Sequence, residues 1–153
     1  MQLLSSIIIL SLATFGAAAD NLIADGSCVT IHDGDLVMHE KKKKKKYQYF
    51  LYMIPRGTEY NDQRWILVNA GGDYYKLQNK HSGRFMILSV NNYFFTVPDV
   101  PVRNVDYFKF QPEEGGKYDI VNNENGHLKS NGKNYAVYKG ADASHLTVKQ
   151  CTE

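Results

Sequence analysis

Six adjacent lysines, Lys41, Lys42, Lys43, Lys44, Lys45 and Lys46, are the densest charge in this 153-residue sequence. Six neighbouring ammonium groups repel one another unless counter-ions or a polyanion sit beside them. A sulfated polysaccharide or an anionic surface would serve, as point-charge contacts of little specificity that salt weakens. A solvated loop is the competing reading, and the sequence leaves both open. The histidines His32, His39, His81, His127 and His145 show no tight ligand spacing, so neither a metal nor a cofactor is expected. There is no G-x-S-x-G and no phosphate-binding glycine loop, and Glu113-Glu114 reads as turn residues. No catalytic residue is assigned, and the chain is not expected to be an enzyme.

The lysines distort the overall charge. Lysine plus arginine is 18 and aspartate plus glutamate is 16; setting the run aside leaves 12 cations against those 16 acids. The chain is a mildly acidic domain with one basic spot, so its net charge of +2 does not argue for nucleic acid as a partner. A composition of 43% hydrophobic and 22% charged residues is globular and excludes a disordered chain.

Residues 1–19, MQLLSSIIILSLATFGAAA, read as a secretory signal peptide. The apolar stretch is short and interrupted by serine, and Ala17-x-Ala19 offers a small-x-small cleavage site before Asp20. The n-region carries no lysine or arginine; a membrane anchor or a buried N-terminal helix is the competing reading. The expected product is secreted and extracellular, a monomer with no transmembrane anchor. In an oxidising compartment Cys28 and Cys151 are expected to pair. Such a bridge requires the two ends of the domain to lie within about 7 Å, Cα to Cα. No Asn-x-Ser/Thr sequon occurs.

The elements that would position these groups repeat. Tyr75-x-Leu77-x-Asn79-x-x-Ser82-Gly83 aligns with Tyr118-x-Ile120-x-Asn122-x-x-Asn125-Gly126, each pair 43 residues apart. Trp65-Ile-Leu67 against Phe108-Lys-Phe110, and Phe50-Leu51-Tyr52 against Tyr93-Phe94-Phe95, keep the same offset. A first copy opens at Val29-Thr-Ile31-His-Asp33-Gly34. Each copy reads as four short strands; in the second these are Tyr75 to Gln78, Phe85 to Val90, Tyr93 to Val97 and Tyr107 to Gln111. Turn dipeptides such as Ser82-Gly83, Asn91-Asn92 and Asn125-Gly126 separate them. The chain is therefore all-β. Three copies of four strands (about 28–70, 71–113 and 114–150) predict a β-trefoil with pseudo-threefold symmetry over residues 20–153. A small propeller or a two-sheet sandwich competes, but a sandwich does not explain a threefold period.

Gln63-Arg64-Trp65 leads through Gly71-Gly72 into Tyr75-x-Leu77-x-Asn79-x-x-Ser82-Gly83. This join resembles the ricin B-type lectin family, whose repeats end in Q-x-W and start with Y-x-I-x-N-x-x-S-G. The second and third copies depart from the pattern, with Asp106-Tyr107-Phe108 and Ser144-His145-Leu146 in place of Q-x-W. The resemblance implies a β-trefoil and a sugar pocket in each intact copy. Such a pocket joins a carboxylate and amides, for vicinal hydroxyls, to an aromatic plate for the sugar's apolar face. The first copy comes closest, with Asp33 or Asp35 as carboxylate, Tyr52 as plate, and Asn61 with Gln63 as amides. A glycan or glycoprotein is then the expected partner. The alternatives are a protease inhibitor, a cytokine-like ligand or a polyanion binder, since trefoils host all of these.

Overall fold

The computed structural model describes residues 22–42, 49–56, 61–98, 105–133 and 136–152. The expected signal peptide and Lys43 to Lys46 lie outside them. The described residues form twelve short strands in three sets of four. The first lobe holds β1 (Cys28–Asp33), β2 (Leu36–Lys42), β3 (Tyr49–Pro55) and β4 (Trp65–Gly71). The second holds β5 (Tyr74–Asn79), β6 (Phe85–Leu88), β7 (Phe94–Val97) and β8 (Phe108–Pro112). The third holds β9 (Lys117–Asn122), β10 (His127–Lys129), β11 (Tyr138–Gly140) and β12 (Leu146–Gln150).

The first and last strand of each lobe close a barrel. β1 pairs with β4, β4 with β5, β5 with β8, β8 with β9, β9 with β12, and β12 returns to β1, all antiparallel. The middle strands make three hairpins, β2–β3, β6–β7 and β10–β11. This is the β-trefoil arrangement. A ring of strands leaves no open edge, which a sheet of such short pieces needs to stay unaggregated.

The 43-residue spacing has a direct structural meaning. Leu51, Phe94 and Val137 are spaced 43 apart, are fully buried, and meet where the three hairpins converge. There the amide of Phe94 donates to Val137 O at 3.0 Å, and the amide of Val137 donates to Leu51 O at 2.8 Å. Inside the barrel, Ile31, Leu77 and Ile120 come from the first strands, and Trp65, Phe108 and Leu146 from the last. Each such large side chain contributes about 1.5–3 kcal/mol by leaving water. Trp65 also donates its indole N–H to Met38 O at 3.3 Å.

Asn79 and Asn122 end the first strands of lobes two and three, and both fold the chain into its next turn. Asn79 Oδ1 accepts from the amides of His81 and Ser82, at 3.1 and 3.2 Å. Asn122 Oδ1 accepts from Glu124 and Gly126, at 3.1 and 2.6 Å. A Cβ at Gly126 would lie 2.9 Å from that oxygen, so the close approach needs glycine. The second lobe departs from its predicted strands by more than one residue at one place. β6 stops at Leu88 because Ser89 to Asn92 make the turn, with Asn92 at φ 64° and Val90 98% exposed.

The chain ends meet as the two cysteines demanded. Cys28 and Cys151 form a disulfide with a Cα–Cα distance of 5.3 Å, and the Cys151 amide donates to Cys28 O at 3.0 Å.

Candidate functional site

Strand β1 alternates. Val29 and Ile31 point into the barrel, which turns Thr30 and His32 to its outer face. The neighbouring strand β12 sets Lys149 opposite Thr30 in register. Arg56, just after β3, lies at the rim of this face, and a 3-10 turn at Asn61–Gln63 brings in the side chain of Gln63. Together with Val37 and Thr152 these residues enclose a pocket of about 50 Å³.

Its chemistry is one-sided. Gln63 is 5% exposed, and its amide nitrogen has no hydrogen-bond partner among the described residues. Arg56 donates to Thr152 Oγ1 at 3.1 Å, and Arg64 donates to Thr152 O at 3.0 Å, so the C-terminal segment fixes the guanidinium at the rim. Thr30 Oγ1 lies 2.6 Å from His32 Nε2. Burial holds the His32 imidazole below its ordinary pKa of 6.5, and the Lys149 and Arg56 cations push the same way. Among the described residues, none that line the pocket carries a carboxylate.

The sugar-site residues do not all converge on this pocket. Gln63 lines it, whereas Asp33, Asp35 and Tyr52 do not. Asp33 ends β1 at a two-residue turn made by Gly34 and the exposed Asp35, and its carboxylate accepts from Ser130 Oγ of the third lobe at 2.5 Å. Tyr52 is half-buried on β3, opposite His39, and bridges by backbone to Ala136 of the third lobe. The third lobe therefore reaches both residues. Asn61 opens the 3-10 turn. Of the lysine run, Lys41 and Lys42 lie on β2, paired with Phe50 and Tyr49 of β3.

Three buried or half-buried polar clusters have no counterpart in the sequence analysis. Glu40 is 5% exposed and accepts from Ser82 Oγ at 2.9 Å and Thr96 Oγ1 at 2.8 Å, tying lobe one to lobe two. Burial pushes its carboxyl up; the hydroxyl donors oppose this. Asp119 accepts from His127 Nδ1 at 2.9 Å and from the amide and hydroxyl of Ser144, at 2.8 and 3.1 Å. Asp106 accepts from the Leu88 amide at 2.7 Å. The available signal was positional: Asp106 and Ser144 stand two residues before Phe108 and Leu146, as Gln63 stands before Trp65. Asp106 and Ser144 tie backbone amides to their lobes, Ser144 by accepting from Ile120 N at 3.0 Å. Of the three, Gln63 is the one with a buried polar atom left unpartnered.

Comparison with known proteins adds three findings. The sequence is 51% identical over all 153 residues, and over the whole length of the other chain, to the erythema protein SVEP of Simulium vittatum. A salivary protein of Culex quinquefasciatus from the cysteine- and tryptophan-rich family superposes with a TM-score of 0.66 at 15% identity, covering 84% of this chain and 96% of that one. A Polyporus squamosus lectin bound to a human-type influenza-binding epitope superposes with a TM-score of 0.67 at 10% identity, covering 83% of this chain and 50% of that one. The two structural likenesses show a shared fold. No protein-family model matches the sequence, so the ricin B-type resemblance holds at the level of the fold.

Proposed function

We propose, from the premise that this chain belongs to the family of the Simulium vittatum erythema protein SVEP, that it is a secreted effector that reddens skin. The carrying observation is the identity of 51% sustained from end to end, which leaves no domain of the relative unmatched. The name of that relative states an effect on skin, and the proposed effect here is the same. The segment at residues 1–19 and the Cys28–Cys151 disulfide both suit an exported protein.

On this reading the protein acts by binding rather than by catalysis. The carboxylates of Glu40, Asp106 and Asp119 are engaged in holding strands and lobes together. The partner is proposed to be a glycan or glycoprotein met at the outer surface of the trefoil. Recombinant, disulfide-bonded protein injected into skin should raise local blood flow, read by laser-Doppler imaging, over buffer and over reduced, alkylated protein. Flow equal to the buffer control would overturn the proposal.

A further inference from the structure

We propose that the pocket between β1, β12 and Gln63 binds a compact oxyanion, a sulfate or phosphate group. This inference stands apart from the erythema-protein reading and does not depend on it.

Three observations carry it. The first is the orphaned donor: Gln63 lines the pocket and its buried Nε2 meets no acceptor among the described residues, while Asp106 and Ser144, in the matching places of the other lobes, are satisfied within the fold. A buried donor without an acceptor is costly to keep, and turning the Gln63 amide toward an acceptor in the pocket removes that cost. The second is charge. Arg56 and Lys149 flank the opening from different segments, and among the described residues its lining has no carboxylate to neutralise them. Arg56 has one N–H on Thr152, which holds the fork in place and leaves further donors for a bidentate contact. Burial first, and then the Lys149 and Arg56 cations, lower the proton affinity of His32 beside them. The third is size. At roughly 10–15 Å³ per water-sized site, a pocket of about 50 Å³ holds a few heavy atoms, as a tetrahedral oxyanion has, and excludes a whole sugar ring.

The group can arrive as a free anion or as an ester on a sugar. The test uses the intact disulfide-bonded protein at constant ionic strength, with sodium sulfate, sodium phosphate or a sulfated monosaccharide replacing sodium chloride. The His32 imidazole signal, assigned by its loss in His32→Gln, is followed by NMR. Sulfate should move it saturably and raise the pH at which it titrates. The Arg56→Gln/Lys149→Gln double variant changes exposed side chains and should bind about tenfold more weakly. Gln63→Leu should also weaken binding, while unfolding at no lower urea concentration because it removes an orphaned donor. A sulfated monosaccharide that binds more tightly than sulfate identifies an esterified ligand, and equal affinity identifies the free anion. A response that does not saturate, that chloride reproduces, or that survives unchanged in the double variant overturns the proposal.

Discussion

The hydroxyl of Thr96 donates to the carboxylate of Glu40 at 2.8 Å, and both residues are buried. Fifty-six positions separate them, yet this bond joins the first lobe to the second. Arg84 braces the same point, donating to Thr96 Oγ1 at 3.2 Å and to Thr96 O at 2.6 Å.

Thr96→Val keeps the shape of the side chain and removes the donor. A buried carboxylate that loses one of its hydrogen bonds should cost about 1.5–3 kcal/mol, measured by urea unfolding. In a Glu40→Gln background the same substitution should cost less. Equal costs in both backgrounds would show that the bond contributes nothing specific.

Opening the disulfide by Cys28→Ser/Cys151→Ser should destabilise the fold by roughly 4–5 kcal/mol, since it frees a very long loop in the unfolded chain. The bridge spans 123 residues. Calorimetry of the double variant beside the oxidised protein reads the difference. A loss under 1 kcal/mol would mean that strand pairing alone keeps β1 on β12.

Acid should unfold the third lobe through Asp119. Burial alone would raise its pKa, but hydrogen bonds from His127 and Ser144 outweigh this and hold it below 3.8. A carboxylate held below its unfolded value adds stability above about 3.8, and that stability is lost as pH falls through the lower native value. Asp119→Asn should therefore be less stable than the parent at pH 7, with the gap closing toward pH 3 on the same carboxylate scale. Urea midpoints across that range test it; a gap independent of pH would contradict the assignment.

His32 predicts a second pH effect at a milder range. Its native pKa is lowered from 6.5 by burial, then by Lys149 and Arg56. The stability this represents is present above 6.5 and is lost as pH falls through the native value. His32→Gln should flatten the stability profile between about pH 7 and 5. An unchanged slope in that variant would place the titration elsewhere.

The threefold design was legible in the sequence because equivalent positions in a trefoil must carry equivalent side chains. Leu51, Phe94 and Val137 had to be apolar at one spacing to meet where three hairpins converge. Trp65 was readable as core for the same reason. The pocket was not legible. Arg56, Gln63 and Lys149 share no local pattern, and they meet because barrel closure lays β12 against β1. Asp33 illustrates the converse. Its place beside a glycine allowed both a turn and a carboxylate ligand, and only the arrival of Ser130 from the third lobe shows what its oxygen touches.

Because Cys28 and Cys151 sit 5.3 Å apart, the order in which the strands are synthesised is not dictated by the architecture. A short linker could join the two ends while the backbone is reopened at another exposed turn such as Asn91-Asn92, giving a circular permutant with the same barrel. In such a permutant the first and last strands of the barrel, β1 and β12, would be joined by peptide as well as by sulfur.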